Sequence, residues 1–216
     1  MPVKHVARLI AVTFACAALF IVPLRGQTTH TPVRIVALGD SLTAGLGLPA
    51  DAAFPEKLNE ALKRKGIAAV VSNAGVSGDT ASGGLERLDW SVPDGSDAVI
   101  LELGANDMLR GVDPAVTRRA LESIIVRLQA RHIAVLLCGM RAAPNMGADY
   151  ARQFDAIYPA LASTHGVVFY PFFLEGVAAD RSLNQPDGLH PTAAGVDVIV
   201  ERILPKVEEL VGRVKK

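Results

Sequence analysis

Short, almost continuously apolar runs alternate regularly along this chain with longer segments of helical period, which leaves few folds open to it. Val33 to Leu38, Ala69 to Ser72, Ala98 to Leu103, Ile133 to Leu137 and Val167 to Tyr170 are rich in β-branched residues. They lack the alternation of a strand with one wet face, so they read as five strands buried on both sides. Between them, Pro55 to Lys65 and Pro114 to Arg131 place apolar residues three and four apart, with charges opposite and a proline in the first turn, as amphipathic helices do. Asp149 to Thr164 and Pro191 to Val211 have the same period, and Leu85 to Val92 suits a shorter helix. Strands separated by helices pair in parallel through right-handed crossovers. The expected fold is therefore α/β, a three-layer α/β/α sandwich with a five-stranded parallel sheet in flavodoxin-like order. Ligands of such sheets bind beyond the carboxyl ends of the strands, so chemistry is expected in the residues just after each one.

Residues 1–26 stand apart. Lys4 and Arg8 precede an apolar run of 16 residues, Leu9 to Leu24, and no acidic residue occurs before Asp40. A membrane span needs about 20 apolar residues, so the segment reads as a signal peptide, with an uncleaved N-terminal anchor and a transient membrane contact as the alternative. Residues 27–216 are then expected to form a single domain, located in the periplasm or secreted. Half of the chain is hydrophobic and a fifth charged, enough to bury one substantial core. Removing Lys4, Arg8 and Arg25 from the 22 basic residues leaves 19 against 22 acidic ones, a net charge of −3. That balance, with no basic stripe or zinc-finger spacing, argues against a nucleic-acid partner. Cys16 falls in the leader, so Cys138, beside the apolar run Ile133 to Leu137, reads as a packed core residue.

The first strand ends in Gly39-Asp40-Ser41-Leu42-Thr43-Ala44-Gly45. This puts Ser41 at a strand-to-helix turn, where its hydroxyl and N–H can face a ligand; the competing role is an ordinary helix N-cap. The segment is not G-x-S-x-G, so an α/β-hydrolase elbow is excluded. Of the five histidines, only His190 has chemical company. Asp187 lies three residues before it, close enough to accept from Nδ1–H while Nε2 faces outward as a general base. Pro191 then begins the last helix and fixes His190 at its start. The plainer reading is a polar loop with a surface histidine. No second His or Cys pair has ligand spacing, so no metal site is expected. Acyl transfer also needs donors for a developing oxyanion. Gly78, after the second strand, can offer a backbone N–H, and Asn106, after the third, a side-chain amide, although either segment alone could be a turn.

In order, G-D-S-L at 39–42, S-G-D-T at 77–80, G-x-N-D at 104–107 and D-x-x-H at 187–190 resemble the four blocks of the SGNH or GDSL hydrolases. The resemblance implies a catalytic Ser41, Asp187 and His190, an oxyanion hole from the Ser41 and Gly78 N–H groups and the Asn106 amide, and no cofactor. Leu101-Glu102-Leu103-Gly104, Ile157-Tyr158-Pro159 and Pro171-Phe172-Phe173 are similar to the bacterial branch of periplasmic arylesterases and acyl-CoA thioesterases with lysophospholipase activity. Gly104-Ala105 departs from the Gly-Gly pair frequent there. Arg110, Met140 and Pro144, in the loops after the third and fourth strands, are expected to bind substrate. The chain thus reads as a monomeric serine esterase acting on small-molecule or lipid acyl esters or thioesters through an acyl-enzyme on Ser41. Its activity should fall as acid protonates the general base. The alternatives are a carbohydrate O-acetylesterase and, without catalysis, a periplasmic binding protein.

Overall fold

The structure, a computed structural model, describes residues 31–214, so residues 1–26, expected to be a signal peptide or N-terminal anchor, lie outside the described residues. Strands β1 (Val33–Gly39), β2 (Ala69–Gly75), β3 (Ala98–Glu102), β4 (Ala134–Cys138) and β5 (Val168–Tyr170) form one parallel sheet in the order β2-β1-β3-β4-β5. This is the flavodoxin-like order expected from the alternation. β1, β3 and β4 occupy the middle and are almost wholly buried, which is why their sequences lack a polar face.

Helices α1 (Ser41–Ala44), α2 (Phe54–Arg64), α3 (Ala81–Glu86), α4 (Leu88–Ser91), α5 (Ala105–Leu109), α6 (Pro114–Ala130), α7 (Ala148–Asp155), α8 (Ile157–His165) and α9 (Ala193–Arg213) connect the strands and complete the chain. α2 and α9 pack together on one side of the sheet, while α3, α6 and α8 form the opposing layer. Leu121, Ile124, Ile125 and Leu128 of α6 are fully buried, each contributing about 1.5–3 kcal/mol. In the α2 layer, Phe54 meets Phe173 edge to face at 5.0 Å, the orientation aromatic quadrupoles favour. Edge strand β2 is blunted by a side chain: the Asn59 amide donates to Val71 O at 2.9 Å and accepts from Val71 N–H at 2.7 Å. A neighbouring chain therefore cannot pair at that position.

Three expectations about helices are corrected. The helix read across Asp149 to Thr164 is two helices, because Pro159 has no N–H to bond the Asp155 carbonyl and its ring crowds that group; α7 ends at Asp155 and α8 starts at Ile157. Leu85 to Val92 spans parts of two short helices that meet at Arg87. The last helix begins at Ala193, capped by Thr192 Oγ1, and Pro191 lies outside it in an antiparallel bridge to Asn184. His190 is consequently held by a folded loop, in which Gln185 N–H donates to His190 O at 2.7 Å and Gln185 Nε2 to Pro191 O at 2.9 Å.

Candidate active site

β1, β2 and β3 deliver three segments to the carboxyl edge of the sheet, and the loop before α9 closes over them. Asp40 is the N-cap of α1, accepting from Leu42 N–H at 3.0 Å. Ser41 is therefore the first helical residue and not the cap, which leaves its hydroxyl free. Ser41 Oγ lies 2.9 Å from His190 Nε2, across 149 residues of sequence, and His190 Nδ1 lies 2.7 Å from Asp187 Oδ2. Asp187 Oδ1 accepts the His190 and Leu189 N–H groups at 3.0 and 2.9 Å. The His190 N–H bond first, then that of Leu189 and then the imidazole bond bring the Asp187 carboxyl down to about 2. An ionised Asp187 only accepts, so Nδ1 carries the proton and Nε2 is left to accept from Ser41.

Asn106 sits in the first turn of α5, where its Nδ2 donates to Asp40 Oδ2 at 3.1 Å and to Asp79 O at 3.0 Å. Those two bonds tie together the loops after β1, β2 and β3. Gly104 opens the helix at a φ of +116°, and a Cβ there would stand 2.1 Å from the Tyr158 hydroxyl, so only glycine fits. The following Asp107 is buried and structural: it accepts from Ala81 N–H at 2.8 Å and from the Thr117 hydroxyl at 2.9 Å. The Gly78 carbonyl accepts from Arg110 Nη2 at 2.7 Å. Ser41 N–H is among the first-turn donors that a helix leaves without an internal partner.

Arg87 and Glu102, for which the sequence suggested no role in the site, also shape it. Arg87 joins α3 to α4 and donates to Asp79 Oδ2 at 2.6 Å, Ala74 O at 2.9 Å, Ser91 Oγ at 2.8 Å and Gly39 O at 2.9 Å. One guanidinium thus ties the end of β1 to the Gly78 loop. Glu102, the last residue of β3, lies buried beneath the Ser41 turn. Burial first, and the neighbouring Asp40 next, push its carboxyl well above the usual range. Burial likewise pushes Asp40 up to about 6, although the Leu42 N–H and Asn106 bonds oppose it. The charged Glu102 in an otherwise apolar strand was the available signal; Arg87 had none, because its partners are scattered from position 39 to 91.

A cavity of about 440 Å³ opens beside Ser41 and His190, with walls formed mainly by Met108, Leu109, Met140, Pro144, Phe172 and Leu174. Met140 and Pro144 thus reach the cavity, whereas Arg110 does not line it and instead braces Gly78. At the rim, the Arg141 guanidinium lies 4.8 Å above the Phe172 ring. Among the described residues no three His, Cys, Asp or Glu side chains converge as metal ligands.

The model of the GDSL-like Lipase/Acylhydrolase family matches residues 37–198. The chain is 37% identical over 177 residues to Esterase TesA of Pseudomonas aeruginosa, covering 82% of this chain and 88% of that protein. It is 36% identical over 195 residues to Thioesterase 1/protease 1/lysophospholipase L1 of Escherichia coli, covering 90% and 92%. The crystal structure of AlinE4, an SGNH-hydrolase family esterase, superimposes with a TM-score of 0.72 at 46% identity, over 84% of this chain and 98% of AlinE4. With a family match over most of its length and full-length relatives at this identity, the chain belongs to the GDSL-like lipase/acylhydrolase family and is a carboxylic ester hydrolase.

Proposed function

We propose that the enzyme cleaves acyl esters or thioesters through a covalent acyl-enzyme on Ser41, with His190 as general base and Asp187 as its orienting partner. The observation that carries this reading is the continuous relay from Asp187 to His190 to Ser41, at 2.7 and 2.9 Å, beside an apolar cavity. The acyl chain of the substrate occupies that cavity. His190 Nε2 takes the Ser41 proton as Oγ attacks the carbonyl carbon, and Asp187 stabilises the imidazolium that results. The oxyanion forms against Ser41 N–H, Gly78 N–H and the Asn106 amide, where each donor is worth a few kcal/mol. Both amide hydrogens of Asn106 are already engaged by Asp40 and Asp79, so Asn106 shares one of them with the oxyanion. Collapse expels the alcohol or thiol, protonated by His190, and a water activated by the same imidazole then releases the acid.

The names of the relatives, esterase and thioesterase/lysophospholipase, favour lipophilic acyl groups. The basic start and apolar run of residues 1–26 favour export to the periplasm or beyond. The test is hydrolysis of p-nitrophenyl butyrate and an acyl-CoA by the parent and by Ser41→Ala. A loss of at least about 10⁴-fold in kcat is expected in the variant, and parental rates in it would end this reading.

A further inference from the structure

Glu102 is the one charged residue of β3, and in the β1–β3 register it lies opposite Gly39, two residues before Ser41. Its Oε2 accepts from the Thr43 hydroxyl at 2.8 Å and, at 3.4 Å, from Asp40 N–H. Its Oε1 is buried and has no hydrogen-bond partner among the described residues. Burying a carboxyl in this way is costly, and an apolar side chain would suit the sheet better. The chain is also shaped around the contact: a Cβ at Gly39 would lie 2.0 Å from Thr43 Oγ1 and 2.7 Å from Glu102 Oε2. The end of β1 can pass over this pair only as glycine. The residues held, Asp40 and Thr43, flank Ser41 in a helix of four residues, too short to fix its own orientation.

We propose that Glu102 is a positioning residue that grips Asp40 and Thr43 from beneath and so aims the Ser41 hydroxyl at His190. The proposal rests on Ser41 being the nucleophile. Both hydrogen bonds are accepted by one oxygen, Oε2, so the amide oxygen of a glutamine at this position can accept the same two.

The experiment measures kcat and KM for p-nitrophenyl butyrate, with thermal unfolding alongside, in the parent, Glu102→Ala, Glu102→Gln and Thr43→Val. Misplacing a nucleophile by a fraction of an ångström lowers kcat without weakening binding. Glu102→Ala and Thr43→Val should therefore lose about 10- to 100-fold in kcat with KM within about threefold, and Glu102→Gln should recover to within about fivefold of the parent. A folded Glu102→Ala or Thr43→Val with kcat within about threefold of the parent overturns the proposal, as does a Glu102→Gln as slow as Glu102→Ala. If Glu102→Ala does not fold, Thr43→Val, which removes only a hydroxyl, decides. Ser41→Ala run in parallel separates the two claims: parental rates in that variant refute the nucleophile itself, whatever the Glu102 variants do.

Discussion

Replacing Asp187 with asparagine changes one atom and should reverse the polarity of the relay. Asp187 Oδ1 accepts two backbone N–H groups, and Oδ2 faces His190 Nδ1 at 2.7 Å. In Asp187→Asn the amide oxygen keeps the two backbone bonds, so the NH₂ group is turned toward Nδ1. A donor there forces Nδ1 to accept, moves the ring proton to Nε2 and leaves nothing to take the Ser41 proton. In a buried triad this error costs about 10⁴ in kcat. The Asp187 side chain is 45% exposed and the His190 side chain 19%, so water competes for Nδ1 and the expected loss is smaller, about 10²- to 10³-fold. KM should stay within about threefold, since the cavity is untouched. Folding stability gives a separate signature. The folded-state carboxyl is depressed from 3.8 to about 2, so its contribution is present above its ordinary value and disappears as pH falls toward 2. The stability difference between the parent and Asp187→Asn should therefore be constant above the ordinary carboxyl value of 3.8 and change only as pH falls from there toward 2. Steady-state kinetics with p-nitrophenyl butyrate test the main point. A kcat within about tenfold of the parent would show that the tautomer argument is wrong.

Other consequences follow from the cavity and the buried groups. If the acyl chain lies along the apolar walls, each added methylene is worth about 0.8 kcal/mol, so kcat/KM should rise about 15-fold from p-nitrophenyl butyrate to hexanoate; a maximum at acetate, with deacetylation of polysaccharide, would favour an O-acetylesterase instead. Gly104→Ala forces a side chain into a φ of +116° and against the Tyr158 hydroxyl, and should destabilise by about 1–3 kcal/mol in chemical denaturation. Tyr158→Phe should relieve part of that loss, and strictly additive effects in the double mutant would rule the clash out. Asp40, raised from 3.8 to about 6, binds a proton in the folded chain at pH values where the unfolded chain does not. The parent should therefore gain stability relative to Asp40→Asn as pH falls from 7 to 4, by up to about 3 kcal/mol. A pH-independent difference between the two would contradict the burial argument.

Much of this was legible in the sequence because it depends on local pattern. The apolar run Ala98 to Leu103 marks a strand buried on both faces, whereas Ala69 to Ser72, read the same way, lies in the largely exposed edge strand β2; each of the four motif blocks falls at a strand end or in the closing loop. The contacts that pattern could not supply are the long-range ones. Nothing near Arg87 announces that it reaches Gly39, Ala74 and Asp79, and nothing near Arg110 shows that it braces Gly78 and does not line the cavity. Helix boundaries failed where one residue outweighed the period: Pro159 divides α7 from α8. Pro191 suited a first helical turn, yet its bridge to Asn184 keeps it outside α9.

The proposed reaction requires that the Ser41 hydroxyl, activated by His190, is the group that becomes acylated. Reaction with an alkyl fluorophosphonate, followed by peptide mass spectrometry and residual-activity assay, tests it directly. One adduct per chain on the peptide containing Ser41 is expected, formed in step with the loss of activity, absent in Ser41→Ala and strongly slowed in His190→Ala. Complete inactivation with the adduct on another residue, or a labelled Ser41 that leaves activity intact, would contradict the account.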